Sequence, residues 1–109
     1  MTDRDYQSLL DIIQSIDLAT DYLHNKTQAD FQGDRILQDA IVRRIEIVGE
    51  AATRLSEQAR NEMANIQWRQ VIGMRNILIH QYDHVDLPLV WETATQALPQ
   101  LKQTLQPYL

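Results

Sequence analysis

The sequence predicts an all-α fold, a bundle of four main helices with one or two short ones. Apolar residues recur at helical spacing along most of the chain, which has 109 residues and is 44% hydrophobic. Only three glycines and three prolines are present, so few tight turns are available. A chain of this length can bury a real core but has no room for a second one, and residues 1–109 are therefore interpreted as a single domain.

The first helix is predicted to begin at Asp3, as its N-cap, and to end near His24. The segment NKTQADFQGD is the clearest break that follows. Within it, Thr27 is expected to cap a short turn that buries Phe31, and Gly33 is expected to end that turn. The first 34 residues therefore predict one long helix and one short one.

A second long helix is predicted from Arg35 to about Leu55, with Asp34 as its N-cap. Its apolar residues form two adjoining strips, and a face this wide indicates contact with more than one neighbour. The first strip is Leu37, Ile41, Ile45, Val48, Ala52 and Leu55, and the second is Ile36, Ala40, Ile47 and Ala51. Gly49 lies inside this helix at a cost of about 1 kcal/mol relative to alanine. Close approach of another helix backbone would explain it.

The remaining elements are placed by their capping residues. Ser56 is expected to cap a short helix, and a further helix begins near Trp68 and runs into the segment RNILIHQY. Asp86 is predicted to cap the last helix, with Pro88 in its first turn. Pro99 is expected to kink that helix, because proline removes a backbone donor.

The charge distribution is more informative than the net charge. The formal net charge of −5 argues at first against a nucleic-acid partner. However, residues 1–34 carry −5, residues 35–82 carry +2 and residues 83–109 carry −2. Eight of the ten basic residues are arginines, whose planar guanidinium suits phosphates and carboxylates alike. The arginines can equally be solvated residues that pair with nearby glutamates, so charge alone leaves both interpretations open.

The composition indicates a compartment and excludes some chemistry. The chain has no cysteine, which excludes disulfides and thiolate catalysis and is typical of a reducing environment. The stretch MTDRDYQSLLDIIQS carries acids where a secretory signal needs bases, and no apolar run approaches membrane-spanning length. We expect a cytoplasmic protein that does not contact the membrane.

The segment RNILIHQY combines an arginine, a histidine and a tyrosine in an otherwise apolar stretch. Arg75 and His80 are five residues apart, which on a regular helix means a rise of about 7.5 Å and a rotation of about 140°. They can therefore meet at one phosphate only if the helix ends or distorts near Ile79, or if a second copy of the chain supplies the partner. The spacing leaves that choice open.

The segment resembles the R-x-x-x-x-H-x-Y signature of HepT-like toxins, which belong to the HEPN superfamily of helical proteins. The likeness extends to three blocks that occur in the same order as in that family. These blocks are DRILQDAIVRRIEIVGEAATRLS (34–56), IQWRQVIGMRNILIHQY (66–82) and VDLPLVWETATQALPQL (85–101). The acidic first helix is the least distinctive part of the chain.

The resemblance implies a homodimer in which the motifs of both subunits line a shared cleft. The implied activity is that of an endoribonuclease that needs no metal ion and no cofactor, with tRNA as a plausible substrate. It also implies a neighbouring antitoxin, a minimal nucleotidyltransferase of the MntA type, which transfers AMP onto the motif tyrosine, here Tyr82. AMP at that position would exclude an RNA backbone by its bulk and negative charge.

The residue types suit metal-free cleavage of RNA. His80 can give or take a proton at neutral pH, and Arg75 stays charged and can hold phosphoryl oxygens. Asn76 has an amide that could orient His80 or a phosphate oxygen. Each residue also has a structural interpretation: His80 as a histidine at a helix end, Tyr82 as a core aromatic, and Arg75 in an ion pair with Glu46 or Glu50.

The sequence admits three further interpretations. His80 and His84 have a spacing that can bind zinc, but the adjacent glutamate of the H-E-x-x-H pattern is missing, so no metal site is predicted. Trp68 and Trp91 could stack on bases, although core or dimer-interface positions are favoured. The alternative function is a catalytically silent helical dimer that binds a partner nucleotidyltransferase.

Overall fold

The computed structural model describes the backbone of residues 1–79 and 85–109, and the side chains of residues 1–76 and 85–109. Every regular element in these ranges is helical, which confirms the predicted all-α class. In chain order the elements are α1 (Asp3–Tyr22), α2 (Gln28–Gln32), α3 (Arg35–Thr53), α4 (Glu57–Glu62), α5 (Trp68–Ile79), α6 (Leu87–Glu92), a π-helical segment (Thr93–Ala97), α7 (Leu98–Leu105) and a 3-10 turn (Gln106–Tyr108). Helices α1, α3 and α5 correspond to three of the predicted main helices, and the continuous run from α6 to α7 corresponds to the fourth. Helices α2 and α4 are the two short ones.

Helix α3 is the central element of the bundle, because it packs against α1 on one side and α5 on the other. This confirms that its wide apolar face serves more than one neighbour. Its first strip is buried from Leu37 to Leu55, whereas Ile36 in the second strip is 82% exposed. Burying each large aliphatic side chain contributes roughly 1.5–3 kcal/mol, so this central stripe is a main source of stability.

Four of the five predicted capping residues begin the helices that they were assigned to. A cap of this kind is worth about 1 kcal/mol, because it satisfies a backbone N–H that the helix leaves unpaired. Each side chain accepts a hydrogen bond from the backbone N–H three residues later: Thr27 from Asp30 at 3.1 Å, Asp34 from Leu37 at 3.0 Å, Ser56 from Ala59 at 3.1 Å, and Asp86 from Leu89 at 3.1 Å.

The assignment of Asp3 as the cap of α1 is wrong by one residue. Thr2 is the N-cap, and its side chain accepts a hydrogen bond from the backbone N–H of Asp5 at 3.1 Å. The carboxylate of Asp5 accepts in return from the backbone N–H of Thr2 at 3.1 Å, which completes a capping box. Because this arrangement satisfies two donors at once, it outcompetes a cap by Asp3 alone.

Asp5 also joins the start of α1 to the start of α4. Although it is a carboxylate, it is only 1% exposed. It accepts hydrogen bonds from the backbone N–H and the hydroxyl of Ser56, both at 2.8 Å. The bond from the Ser56 backbone is the main reason that the pKa of Asp5 falls from 3.8 to about 2. One side chain therefore anchors two helix termini that are 51 residues apart in sequence.

The kink expected at Pro99 stays a prediction, and the irregularity that the structure describes is a π-helical segment, Thr93–Ala97, that directly precedes α7. Pro99 itself lies in the first turn of α7, where a missing backbone N–H is tolerated. The three residues Val90, Ala94 and Leu98 are spaced by four and are all at most 3% exposed. A π turn contains more residues than the 3.6 of an α turn, which keeps this four-residue spacing in phase with the core.

Both tryptophans belong to the core or its edge. Trp68 is 6% exposed, and its indole N–H donates to the backbone oxygen of Met63 at 3.2 Å. Trp91 is half-buried, and its ring lies 5.6 Å from that of Phe31 at an interplanar angle of 43°. This tilted pairing is favourable for aromatic rings. The predicted role as core anchors is therefore confirmed for Trp68, whose face is covered and cannot stack on a base.

Candidate functional site

Helix α5 carries two of the predicted site residues, and its backbone is pressed against α3. A Cβ built on Gly49 would lie 2.9 Å from the Cβ of Arg75, and 3.5 Å from both the backbone nitrogen of Arg75 and the backbone oxygen of Ile72. Real Cβ atoms do not approach other atoms to 2.9 Å, so only glycine fits there without a shift of α5. The close approach that the sequence predicted at Gly49 is confirmed, and the neighbour is the backbone of α5, the helix that carries Arg75.

The side chains of Arg75 and Asn76 are both accessible to a ligand. Arg75 is half-buried, with its Cβ over α3, and Asn76 is exposed. The long arginine side chain can therefore have its base fixed by packing while its guanidinium reaches solvent. This combination suits a group that must hold a phosphate in a defined place.

The glutamates that were considered as partners of Arg75 are paired with another arginine. Arg43 lies 3.5 Å from Glu46 and 3.5 Å from Glu50, all three on α3. Within the described part of the chain, no salt bridge joins Arg75 to either carboxylate. The sequence contained the signal for Arg43, because residues three and seven positions apart share a helix face. Arg43 therefore competes with Arg75 for these carboxylates.

His80 and Tyr82 lie outside the residues that the structure describes. The described backbone of α5 extends from Trp68 to Ile79, the residue that directly precedes His80 in sequence. The meeting of Arg75 and His80, with or without a second copy of the chain, stays a prediction.

The described residues offer no metal centre: among them, no group of three or more His, Asp or Glu side chains could hold a metal ion. His84, like His80, lies outside the described ranges. In those ranges there is also no helix long and apolar enough to cross a membrane.

A groove of about 280 Å³ runs between α5 and the C-terminal helical elements. Its lining combines amide and apolar side chains and includes no titratable residue, so the groove alone cannot perform acid–base chemistry. The residues are Asn65, Ile66, Gln67, Gln70, Val71, Met74, Ala97, Gln100, Leu101 and Thr104.

The family model described as Ribonuclease HepT-like matches residues 12–107. A longer protein of Methanocaldococcus jannaschii, named as a gamma-glutamylcyclotransferase and candidate RNase, is 43% identical over 94 residues. That match covers 86% of this chain but only 42% of the archaeal protein. A second M. jannaschii protein, named as a candidate RNase, is 29% identical over 97% of this chain and 98% of its own length.

A protein of Thermococcus cleftensis with the name "Probable ribonuclease HepT" is 34% identical over 91% of this chain and 88% of its own length. No solved structure gives a significant match. The matched range includes α3, α5, α6 and α7. The three sequence blocks that resemble the HepT-like family lie in the same regions. The chain belongs to the HepT-like ribonuclease family of the HEPN superfamily.

Proposed function

We propose that this chain is an endoribonuclease toxin that cuts RNA in the cytoplasm without a metal ion. Arg75 and His80 are its catalytic residues, and Asn76 supports them. The observation that carries the proposal is the contact between Gly49 and Arg75, which fixes the base of the arginine against α3 while the side chain stays half accessible. Family membership supports the same activity.

The reaction uses the 2′-hydroxyl of the RNA as its nucleophile. A base removes the hydroxyl proton, the 2′-oxygen bonds to the adjacent phosphorus, and the bond from phosphorus to the 5′-oxygen breaks. An acid protonates that leaving oxygen, so the products are a 2′,3′-cyclic phosphate and a 5′-hydroxyl. A histidine can fill either proton role at neutral pH, and Arg75 stabilises the charge that builds on the phosphoryl oxygens.

The site is composite and is formed by a homodimer. On a regular helix, positions five apart point about 140° away from each other, so Arg75 and His80 of one copy would not share a face if the helix stayed regular as far as residue 80. Two copies that face each other present two arginines and two histidines to one cleft. One histidine then acts as base and the other as acid.

The activity is regulated at Tyr82 by a nucleotidyltransferase antitoxin of the MntA type. Transfer of AMP to the phenol adds a bulky group with negative charge two residues from His80. An RNA backbone, itself an anion, is then excluded from the cleft. The substrate class proposed for the free toxin is structured cellular RNA, with tRNA as the first candidate.

The proposal is tested by RNA cleavage in EDTA, with protein made in the absence of any partner and shown by intact mass to carry no AMP. Cyclic phosphate and 5′-hydroxyl ends are expected from tRNA or total RNA. Arg75→Ala and His80→Ala should both abolish cleavage while light scattering still shows a dimer. Arg4→Ala, which removes an exposed arginine from α1, is the matched control and should cut normally. Full activity in either motif variant would refute the site.

The second candidate is a catalytically silent helical dimer that binds a nucleotidyltransferase. It is favoured by the outer face of α1, where Tyr6 is 44% and Leu10 is 54% exposed on a helix rich in aspartate. Such a mixed apolar and acidic face suits a protein better than RNA. Absence of cleavage by unmodified wild-type protein, together with tight binding of a nucleotidyltransferase, would favour this function over the first.

A further inference from the structure

Gly73 lies in the middle of α5 without a packing reason in this chain. A Cβ built there would meet no heavy atom within 4 Å, among the residues described. Its φ angle is not positive either, so alanine could adopt the same backbone. Glycine has the poorest helix propensity after proline, and the isolated chain would be more stable with alanine at this position. The other helical glycine, Gly49, is required by its contact with Arg75, which makes the contrast clear.

The residues around Gly73 are polar and exposed. Arg69 lies four residues before it and Asn76 three residues after it, the two spacings that share a helix face. Gln70, three residues before it, borders the same face on the other side. We call the surface formed by Arg69, Gln70, Gly73 and Asn76 the Gly73 face. All three of its side chains are exposed.

The Gly73 face carries a positive charge that the described residues leave uncompensated. No carboxylate in the described part of the chain lies within salt-bridge distance of Arg69. By contrast, the exposed arginines Arg35 and Arg54 are both paired with aspartates, at 3.1 and 3.2 Å. The face therefore combines a cation, two amides and a gap where a side chain would otherwise stand.

We infer that the phosphodiester backbone of the RNA substrate lies across the Gly73 face, in direct contact with the backbone of α5. A missing side chain allows a strand to approach the helix axis, as glycine does wherever a ligand comes close to a backbone. Arginine and amide side chains are the usual donors to phosphate oxygens. A second protein helix crossing at a glycine would need apolar flanks, whereas three of the four flanking positions, Arg69, Gln70 and Asn76, are polar. The fourth is Ile77, whose side chain lies outside the described residues. The inference rests on the proposed ribonuclease function.

Apart from Asn76, which is proposed to support the catalytic pair, the Gly73 face is a binding surface and not the reacting centre. Arg75 follows two residues later, so its Cβ points toward α3, about 160° away from the direction that a Cβ built on Gly73 would take. In sequence, Gly73 precedes His80 by seven residues, close to two turns of a regular helix. The face therefore holds nucleotides that flank the cleaved phosphate. Changes there should raise KM and leave kcat nearly unchanged, because the contact is the same in ground and transition states.

The test uses Gly73→Ala and Arg69→Ala in the full chain, with a single-stranded RNA of mixed sequence and bulk tRNA as probes. Gly73→Ala should raise the Tm by about 4 °C, because the helix gains propensity and the methyl group meets open space. It should also weaken RNA binding about tenfold through KM, because the added methyl group keeps the phosphodiester away from the helix and lengthens its contacts with Arg69 and Asn76. Arg69→Ala should flatten the salt dependence of binding by about 0.7 in log–log slope, and Arg4→Ala should not.

The outcomes separate this inference from the proposed function. Wild-type protein that neither binds nor cuts RNA would overturn both. Wild-type cleavage with unchanged KM in Gly73→Ala would overturn the inference alone. A lower Tm would mean that the glycine is needed for packing, and loss of the dimer in Gly73→Ala would mean that a second copy occupies the face. Either result would also overturn it.

Discussion

Gly49 and Arg75 are packed so closely that a Cβ added to the glycine would lie 2.9 Å from the Cβ of the arginine. The two residues belong to different helices and are 26 positions apart in sequence. The absence of a side chain on α3 therefore sets the position of the residue on α5 that we propose as the phosphate-binding group.

Gly49→Ala should destabilise the protein even though alanine is the better helix former. The gain in helix propensity is about 1 kcal/mol, but the added methyl group forces α5 away from α3, and overpacking of this kind costs about 1–3 kcal/mol. We expect a lower free energy of unfolding in urea and slower RNA cleavage, because Arg75 is displaced. Gly73→Ala on the neighbouring helix is the control and should change stability in the opposite direction. Equal stability of Gly49→Ala and wild type would contradict the packing described here.

Asp5→Asn should reduce the amount by which the free energy of unfolding falls in acid. The pKa of Asp5 is about 2 in the folded protein, below its ordinary value of 3.8, because its carboxylate accepts hydrogen bonds from Ser56 and Thr2. In that interval the unfolded chain binds more protons than the folded one. The stabilisation is therefore present above about pH 4 and is lost as the pH falls toward about 2.

The measurement is the free energy of unfolding in urea across this pH range. Asp5→Asn should be less stable than wild type near neutral pH, with a smaller drop in acid. Some drop should remain, because the pKa of Asp30 is also lowered, by its hydrogen bonds with Thr27. Asp3→Asn removes an exposed carboxylate from the same turn and should keep the wild-type profile. An unchanged acid slope in Asp5→Asn would argue against the link between α1 and α4.

Phe31→Ala should be among the most destabilising single substitutions outside the motif. Phe31 is fully buried and its ring packs against Trp91, so its removal leaves a cavity between α2 and the last helix. The expected loss is about 3–5 kcal/mol in the free energy of unfolding. Ile36→Ala, which truncates a side chain that is 82% exposed, should change it by less than about 0.5 kcal/mol. Comparable losses for the two variants would show that α2 does not contribute to the core.

Tyr82→Phe should separate toxicity from its control. The substitution removes the phenol oxygen that we propose as the AMP acceptor and keeps the aromatic ring. Co-expression with a nucleotidyltransferase of the MntA type should then add no AMP by intact mass and should no longer suppress RNA cleavage. Wild-type protein treated in the same way should gain one AMP and lose activity. Transfer of AMP to Tyr82→Phe would assign the modification to another residue.

Much of the fold was predictable because it is encoded locally. Thr27, Asp34, Ser56 and Asp86 cap the helices that they were expected to cap, since a capping bond involves only residues three positions apart. The cap of α1 was missed although Thr2 and Asp5 form the same local reciprocal pair as Thr27 and Asp30. Only the second role of Asp5, with Ser56, depends on a contact over 51 residues. No local pattern contains that contact.

The site divides in the same way. A glycine inside a helix predicted a close approach, but only the structure identifies Arg75 as the residue that approaches Gly49. Glu46 and Glu50, the ion-pair partners considered for Arg75, pair with Arg43 instead, because Arg43 lies on the same helix as both. The roles proposed for His80, Asn76 and Tyr82 stay predictions, because His80 and Tyr82 lie outside the described residues.

The π-helical segment, Thr93–Ala97, changes the direction in which side chains point around the axis of the last helix, between the part before it and the part after it. Val90 on one side of it and Leu98 on the other both face the core only because the wide turn absorbs one extra residue. If the same residues formed a regular α-helix without the wide turn, everything after the segment would be rotated by about 100°. Leu101 and Leu105 would then turn toward solvent, so the wide turn itself keeps the end of the chain in register with the bundle.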